Sequence, residues 1–137
     1  MTDASLSATT ARAASRQVTY RRLLGINLGL NVLIGLAALF APTWLNATLF
    51  GDATAPGPWL PLWGIALIFL AALYLPGWLS PTTIRMPNLI GIAERAVTGL
   101  AFLFAGFFLF GLYALVFAGL LGWAYYRLFE AELATRP

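Results

Sequence analysis

Glu94 and Arg95 stand side by side in a stretch that carries no other charge from Met86 to Tyr126. An ionised side chain at the centre of a membrane helix costs about 2.5–3.5 kcal/mol on insertion scales, so each of these two needs a partner. As a polar centre they could hold a lipid headgroup, a quinone carbonyl or a protonated substrate. Glu94 is the one acid inside an apolar segment and so the one group placed to couple transport to an ion. Neighbouring residues project about 100° apart on a helix, so the two cannot fully face each other. Each therefore looks to another helix, to lipid or to another subunit, and Thr98, one turn beyond Glu94, is a local hydrogen-bond candidate.

The residue types that are absent narrow the chemistry further. The chain has no cysteine and no histidine, so it offers no thiolate, no usual haem ligand and no default general base. It carries no P-loop, HExxH or CxxC motif and no carboxylate dyad. A self-ligated metal or haem is not expected. An enzyme built on this chain would have to rely on Glu94, Arg95 and tyrosines. The net charge of +3 rests on eight arginines and no lysine, scattered at the ends of apolar segments. That pattern reads as topology signals with affinity for anionic lipid, not as a nucleic-acid surface.

The elements that must position these groups are membrane helices. Of 137 residues, 61% are hydrophobic and 9% charged, with a mean hydropathy of +0.83, whereas soluble domains carry about 25% charged residues. Residues 1–19 are rich in Ser, Thr and Ala and read as a flexible tail, ahead of a membrane domain over 20–137. Spans are expected over 23–41, 59–79, 89–108 and 112–129. Tyr20, Arg21 and Arg22 form an anchor at the edge of the first span, which is too long for the apolar core of a signal peptide. Residues 43–58 hold Asn46, Gly51, Asp52, Pro56, Gly57 and Pro58 and read as a loop bracketed by Trp44 and Trp59. The 38 apolar residues from Leu89 to Tyr126 are too many for one crossing and enough for two. They predict a helical hairpin turning near 108–112, eased by Gly106 and Gly111, and put Glu94 and Arg95 inside the third span.

Charge then sets orientation. Arg12, Arg16, Arg21, Arg22, Arg85, Arg127 and Arg136 all fall on the side of the N-terminus, and the opposite loops carry no Lys or Arg. The expected fold is an all-α membrane protein, a four-helix antiparallel bundle with both termini cytoplasmic in a bacterial inner membrane. Counting at 1.5 Å per residue puts Asn27, Tyr74, Glu94 and Arg95 about 8–11 Å from the inner edge, with Asn31 one turn deeper. These five residues form an expected inner-leaflet polar layer, which either binds a ligand or ties the helices together. Helix packing is assigned to Gly25 and Gly29, to Gly91 and Gly99 on either side of Arg95, and to Ala114, Ala118 and Gly122. Phe102, Phe104, Phe107, Phe108 and Phe110 crowd the outer half of the hairpin, for lipid contact and packing or for a pigment or quinone tail. Glu130 and Glu132 read as a solvated helix end.

The run Ala72-Leu-Tyr-Leu-Pro76, followed by Pro81, Arg85, Asn88 and then Glu94-Arg95 opening an aromatic-rich span, resembles small bacterial four-helix membrane proteins of the DoxX-like and BphX-like kinds. The resemblance implies a four-helix membrane fold. Some DoxX-like proteins are associated with quinone-linked oxidation complexes, and others have no established activity. No catalytic residue is carried over from it. Small multidrug transporters also have four helices and one membrane glutamate, but theirs lies in the first helix, where this chain has none. The expected role is an accessory or structural subunit of a larger membrane assembly, in contact with lipids and with other subunits or further copies of itself. The alternative is a carrier or transporter of a lipophilic ligand (quinone, lipid or pigment) at the polar layer around Glu94 and Arg95.

Overall fold

The computed structural model describes residues 3–52 and 54–135 of the chain; Arg136 lies outside them. Among the described residues there are five helices: α1 Asp3–Phe40, α2 Pro42–Phe50, α3 Trp59–Leu79, α4 Met86–Phe104 and α5 Phe108–Leu133. Among the described residues three stretches are long and apolar enough to cross a membrane: Ser7–Phe40, Trp59–Leu79 and Phe108–Leu133. The 19-residue α4 is amphipathic, because Asn88, Glu94 and Arg95 interrupt its apolar sequence.

Three segments differ from the sequence expectation, each for a local reason. Residues 3–19, expected as a flexible tail, continue α1 without a break. They hold five alanines and neither Gly nor Pro, a composition that favours helix. At 1.5 Å per residue the 38 residues of α1 extend about 57 Å, far beyond the ~30 Å of a hydrocarbon core. The expected loop over 43–58 begins instead as the nine-residue α2. Pro42 stops α1 because it has no N–H, yet its fixed φ suits the first turn of the next helix. Gly51, at φ 71°, closes α2 in the left-handed conformation. The hairpin turn lies at 105–107, earlier than expected, with Gly106 at φ 86°. Gly111 is not part of that turn. It lies inside α5, where a Cβ would come within 2.9 Å of the Gly99 carbonyl and 2.8 Å of Leu103.

Helix α1 packs on α3 and α5, and α4 on α5 and α3. The closest backbone approach joins α1 to α3: a Cβ on Gly35 would sit 2.7 Å from the Gly64 oxygen, and one on Gly64 2.7 Å from the Gly35 oxygen. One core region gathers Tyr20, Leu24, Leu28, Tyr74, Leu121 and Leu128, and a second gathers Ala38, Leu45 and Leu60. The outward faces are apolar as well, with Leu33, Phe69, Val97 and Leu112 about as exposed as Phe108 and Trp123.

The α2–α3 connection is tied by polar groups. The Asn46 amide donates to the carbonyls of Asp52 (2.9 Å) and Thr54 (3.3 Å), and the Thr54 N–H and hydroxyl donate to Asp52 Oδ1. The Thr54 backbone N–H, and then its hydroxyl, hold the Asp52 carboxyl below its ordinary pKa. The stabilisation of this turn is therefore complete above the unfolded carboxylate value of about 3.9 and is lost as pH falls through the lowered folded value. Hydrogen exchange at the Thr54 amide should accelerate at that acid limit, and in Asp52→Ala at every pH.

Packing at the glycines yields a second prediction. Gly64→Leu should destabilise the protein by about 1–3 kcal/mol, because the backbone of α1 leaves no room for the side chain. Gly119→Leu, where no atom lies within 4 Å, should change stability little. Thermal unfolding of both variants in mild detergent makes the comparison.

Candidate functional site

Polar side chains face inward in this bundle. Asn27, Asn31, Asn88 and Arg95 are all buried, at 5% exposure or less. Tyr20 and Asn27 of α1, Tyr74 of α3, and Asn88 and Arg95 of α4 surround a cavity of about 10 Å³, roughly the space one water needs. Gly91 makes this meeting possible, since a Cβ there would press on the Tyr74 ring at 3.3 Å. Neither side-chain polar atom of Asn27 has a hydrogen-bond partner among the described residues, and the same holds for Asn31 Nδ2 and the Tyr20 hydroxyl.

The structure thus brings Asn27, Tyr74 and Arg95 together and leaves Asn31 and Glu94 outside that cavity. Glu94 is half-buried and turned to a different recess, of about 50 Å³, which it lines with Arg95, Thr98, Trp63 and Phe110. Thr98 Oγ1 donates to Glu94 Oε1 at 3.0 Å, the local bond that the one-turn spacing suggests. Among the described residues neither Glu94 nor Arg95 is in a salt bridge; the two pairs are Arg85–Glu132 and Arg127–Glu130. The Arg95 guanidinium lies 6.0 Å from the Tyr113 ring centroid, the outer limit of a cation–π contact. A buried guanidinium without a carboxylate is costly unless hydrogen-bonding groups surround it. Asn27 and Tyr74 line the same cavity as Arg95, and Tyr113 faces the guanidinium from α5.

Asn88 is the residue whose role the sequence reading missed. Its amide donates to the carbonyls of Gly77 (3.3 Å), Pro81 (3.4 Å) and Ile84 (3.4 Å). Gly77 lies in the last turn of α3, where carbonyls lack an intrahelical donor, and Pro81 and Ile84 lie in the connection to α4. Gly77 makes room for the Asn88 carboxamide, and no side chain could replace its hydrogen there. In the sequence Asn88 is only the last polar residue of the connection before the 89–108 span, directly after Pro87.

Other assignments also move. Tyr20, expected as an edge anchor, is fully buried and packs against Tyr125 with the rings tilted, 5.1 Å between centroids. Glu132 is not a purely solvated end, because it accepts a 2.8 Å bond from Arg85 Nη2. Of the packing residues, Gly25 gives room to Trp78, whose Nε1 donates to the Arg21 carbonyl at 2.8 Å. Gly99 admits Leu115, Gly122 meets Ile92, and Ala114 and Ala118 are buried. Gly29 is exposed, and nothing in the chain lies within 4 Å of its face. The five phenylalanines divide: Phe102, Phe107 and Phe110 join Phe50 and Trp63 in an edge-to-face cluster, while Phe104 and Phe108 point outward.

No protein-family model matches the chain, and comparison with curated proteins and with solved structures finds no match either. The DoxX-like and BphX-like resemblance therefore has no support beyond the residues that suggested it.

The two asparagines separate the roles within this layer. Asn88→Ala should destabilise the protein by about 1–3 kcal/mol, since three carbonyls lose their donor. Asn27→Leu should be close to neutral, because a group without a protein partner gives up no bond. Detergent unfolding curves for the two variants check the difference. A large loss at Asn27 would instead mark it as essential to holding Arg95.

Proposed function

We propose that this chain is an integral protein of the bacterial inner membrane, with α1, α3, α4 and α5 as four antiparallel spans and both termini cytoplasmic. In that membrane it serves as an accessory or structural subunit of a larger assembly. The observation that carries this reading is how little room the polar interior leaves. The cavities at the polar layer measure about 10 and 50 Å³, against about 300–1,000 Å³ for the usual small-molecule pocket. An interior filled by its own side chains, inside an apolar exterior, suits a packing module better than a carrier.

Several features support the topology. Gly25 meets Trp78 while Gly35 meets Gly64, so α1 and α3 run in opposite senses. Leu103 meets Gly111 and Gly99 meets Leu115, which sets α4 against α5 in the same way. Helix α4, at 19 residues and about 28 Å, reaches across a hydrocarbon core and exposes Val97 and Leu100 outward. Arg85 pairs with Glu132 and Trp78 bonds to Arg21, so arginines distant in sequence share one end of the bundle, as the positive-inside rule requires of cytoplasmic residues. Lipids, other membrane subunits or a second copy are the partners that the exposed apolar faces fit.

Native mass spectrometry of the protein extracted from its own membrane in mild detergent tests the subunit role. The expected spectrum contains a co-purifying subunit or a second copy. A monodisperse monomer free of any partner overturns it.

A second reading, a carrier or transporter of a quinone, lipid or pigment, draws on one observation. Glu94, Arg95 and Thr98 share a recess with Trp63 and Phe110, where polar and aromatic groups adjoin. In that case Glu94→Gln and Arg95→Leu should each abolish quinone binding by the reconstituted protein while its helicity is retained. Binding that persists in both variants removes this reading.

A further inference from the structure

Where α1 passes the end of α5, Arg12, Arg16 and Arg127 line a groove of about 450 Å³ together with Thr9 and Glu130. Arg12 and Arg16 are four residues apart and so lie on one face of α1. Among the described residues neither forms a salt bridge. Arg127 Nη1 bonds Glu130 Oε2 at 3.1 Å, but both side chains of that pair are largely exposed, so it is a weak and replaceable contact. Three guanidinium groups thus share the groove with one carboxylate.

The other arginines at this end are differently engaged. Arg85 is bonded to Glu132 and lies over Phe129, and Arg21 lies over Trp78 at 5.1 Å. Arg22 belongs to a separate recess beside Trp78. Uncompensated positive charge therefore gathers in the Arg12–Arg16–Arg127 groove. Guanidinium forks match phosphate oxygens two at a time, which a general surface field does not do.

The depth of the groove indicates its occupant. The Tyr20–Tyr125 ring contact fixes α1 against α5. Arg16 comes one turn before Tyr20, and Arg127 two residues after Tyr125, so both lie just outside that aromatic floor. In a bilayer this is headgroup level, and the volume falls within the range of small-ligand sites. We propose that the groove is a binding site for a phosphate-bearing anion, filled by the headgroup of an anionic phospholipid. The lipid assignment rests on the membrane reading above.

The test uses the full chain in nanodiscs of phosphatidylcholine alone and of equimolar phosphatidylcholine and phosphatidylglycerol, with retained lipid counted by native mass spectrometry. The wild-type chain should retain phosphatidylglycerol. The double variant Arg12→Gln/Arg16→Gln, which keeps good helix formers in α1, should retain about tenfold less. Arg22→Gln removes the same charge outside the groove and should leave retention unchanged, and Glu130→Gln should raise it by freeing Arg127. Equal retention in the double variant and the wild type overturns the site, as does an equal loss in Arg22→Gln, which would mean surface attraction alone. Titration of the detergent-solubilised chain with inorganic phosphate separates the two sources. Arginine-dependent binding of phosphate, with no preference for phosphatidylglycerol, overturns the lipid assignment in favour of a free anion. A chain that fails to enter nanodiscs overturns the membrane reading and the lipid with it, while the phosphate titration still reports on the groove.

Discussion

The backbone of α1 lies directly against that of α3 at Gly35 and Gly64, and the rest of the bundle is arranged around that contact. Helices surrounded by apolar solvent gain little from burying apolar side chains against each other, so close approach and shape decide their packing. Glycine is the residue that permits such approach. The same device recurs at Gly99 and Gly111 between α4 and α5, and at Gly91 under the Tyr74 ring. Each of these contacts excludes even a methyl group without displacement of its neighbour. Together they set the spacing of the helices, and that spacing leaves only small cavities at the polar layer.

Arg95 is the group most affected by that tight packing. It is buried, it lies between two small cavities, and its sequence neighbour Glu94 faces only one of them. A guanidinium held this way works as a positional constraint, since sliding or rotating α4 would drag its charge into apolar surroundings. Asn88, about two turns earlier on the same helix, acts on the connection instead, through the carbonyls of Gly77, Pro81 and Ile84. One polar residue thus locks the α3–α4 turn and another limits how α4 sits in the bundle.

The two ends of the molecule differ in kind. One end is closed by the aromatic cluster of Phe50, Trp63, Phe102, Phe107 and Phe110, without charge among its members. The other carries the described arginines apart from Arg95, two of them engaged with Glu132 and Trp78, and three gathered in the groove between α1 and α5. The arginines are thus concentrated at one end and the aromatic cluster at the other.

Periodicity, length and charge in the amino-acid sequence determined much of this by themselves. They specified the all-helical class, the limits of the 59–79 helix, and the place of Glu94 and Arg95 inside a helix, because apolar run length and proline positions are local properties. They missed α2 and the helical character of 3–19, where turn-forming or polar residues outweighed an unbroken helical backbone. Only the tertiary structure decided which glycines pack. Gly29 fits a small-residue motif yet faces outward, whereas Gly35, Gly64 and Gly77 do the close packing. The reason is rotational: a motif records spacing along one helix, but which side of that helix meets a neighbour depends on the whole bundle. The same holds for the polar layer. Depth counting could put Asn27, Asn31, Tyr74, Glu94 and Arg95 near one level, but only the helix rotations put Asn27 and Tyr74 on one cavity and Glu94 on another, with Arg95 on both. The pairing of Arg85 with Glu132, 47 residues apart, was likewise beyond any local pattern.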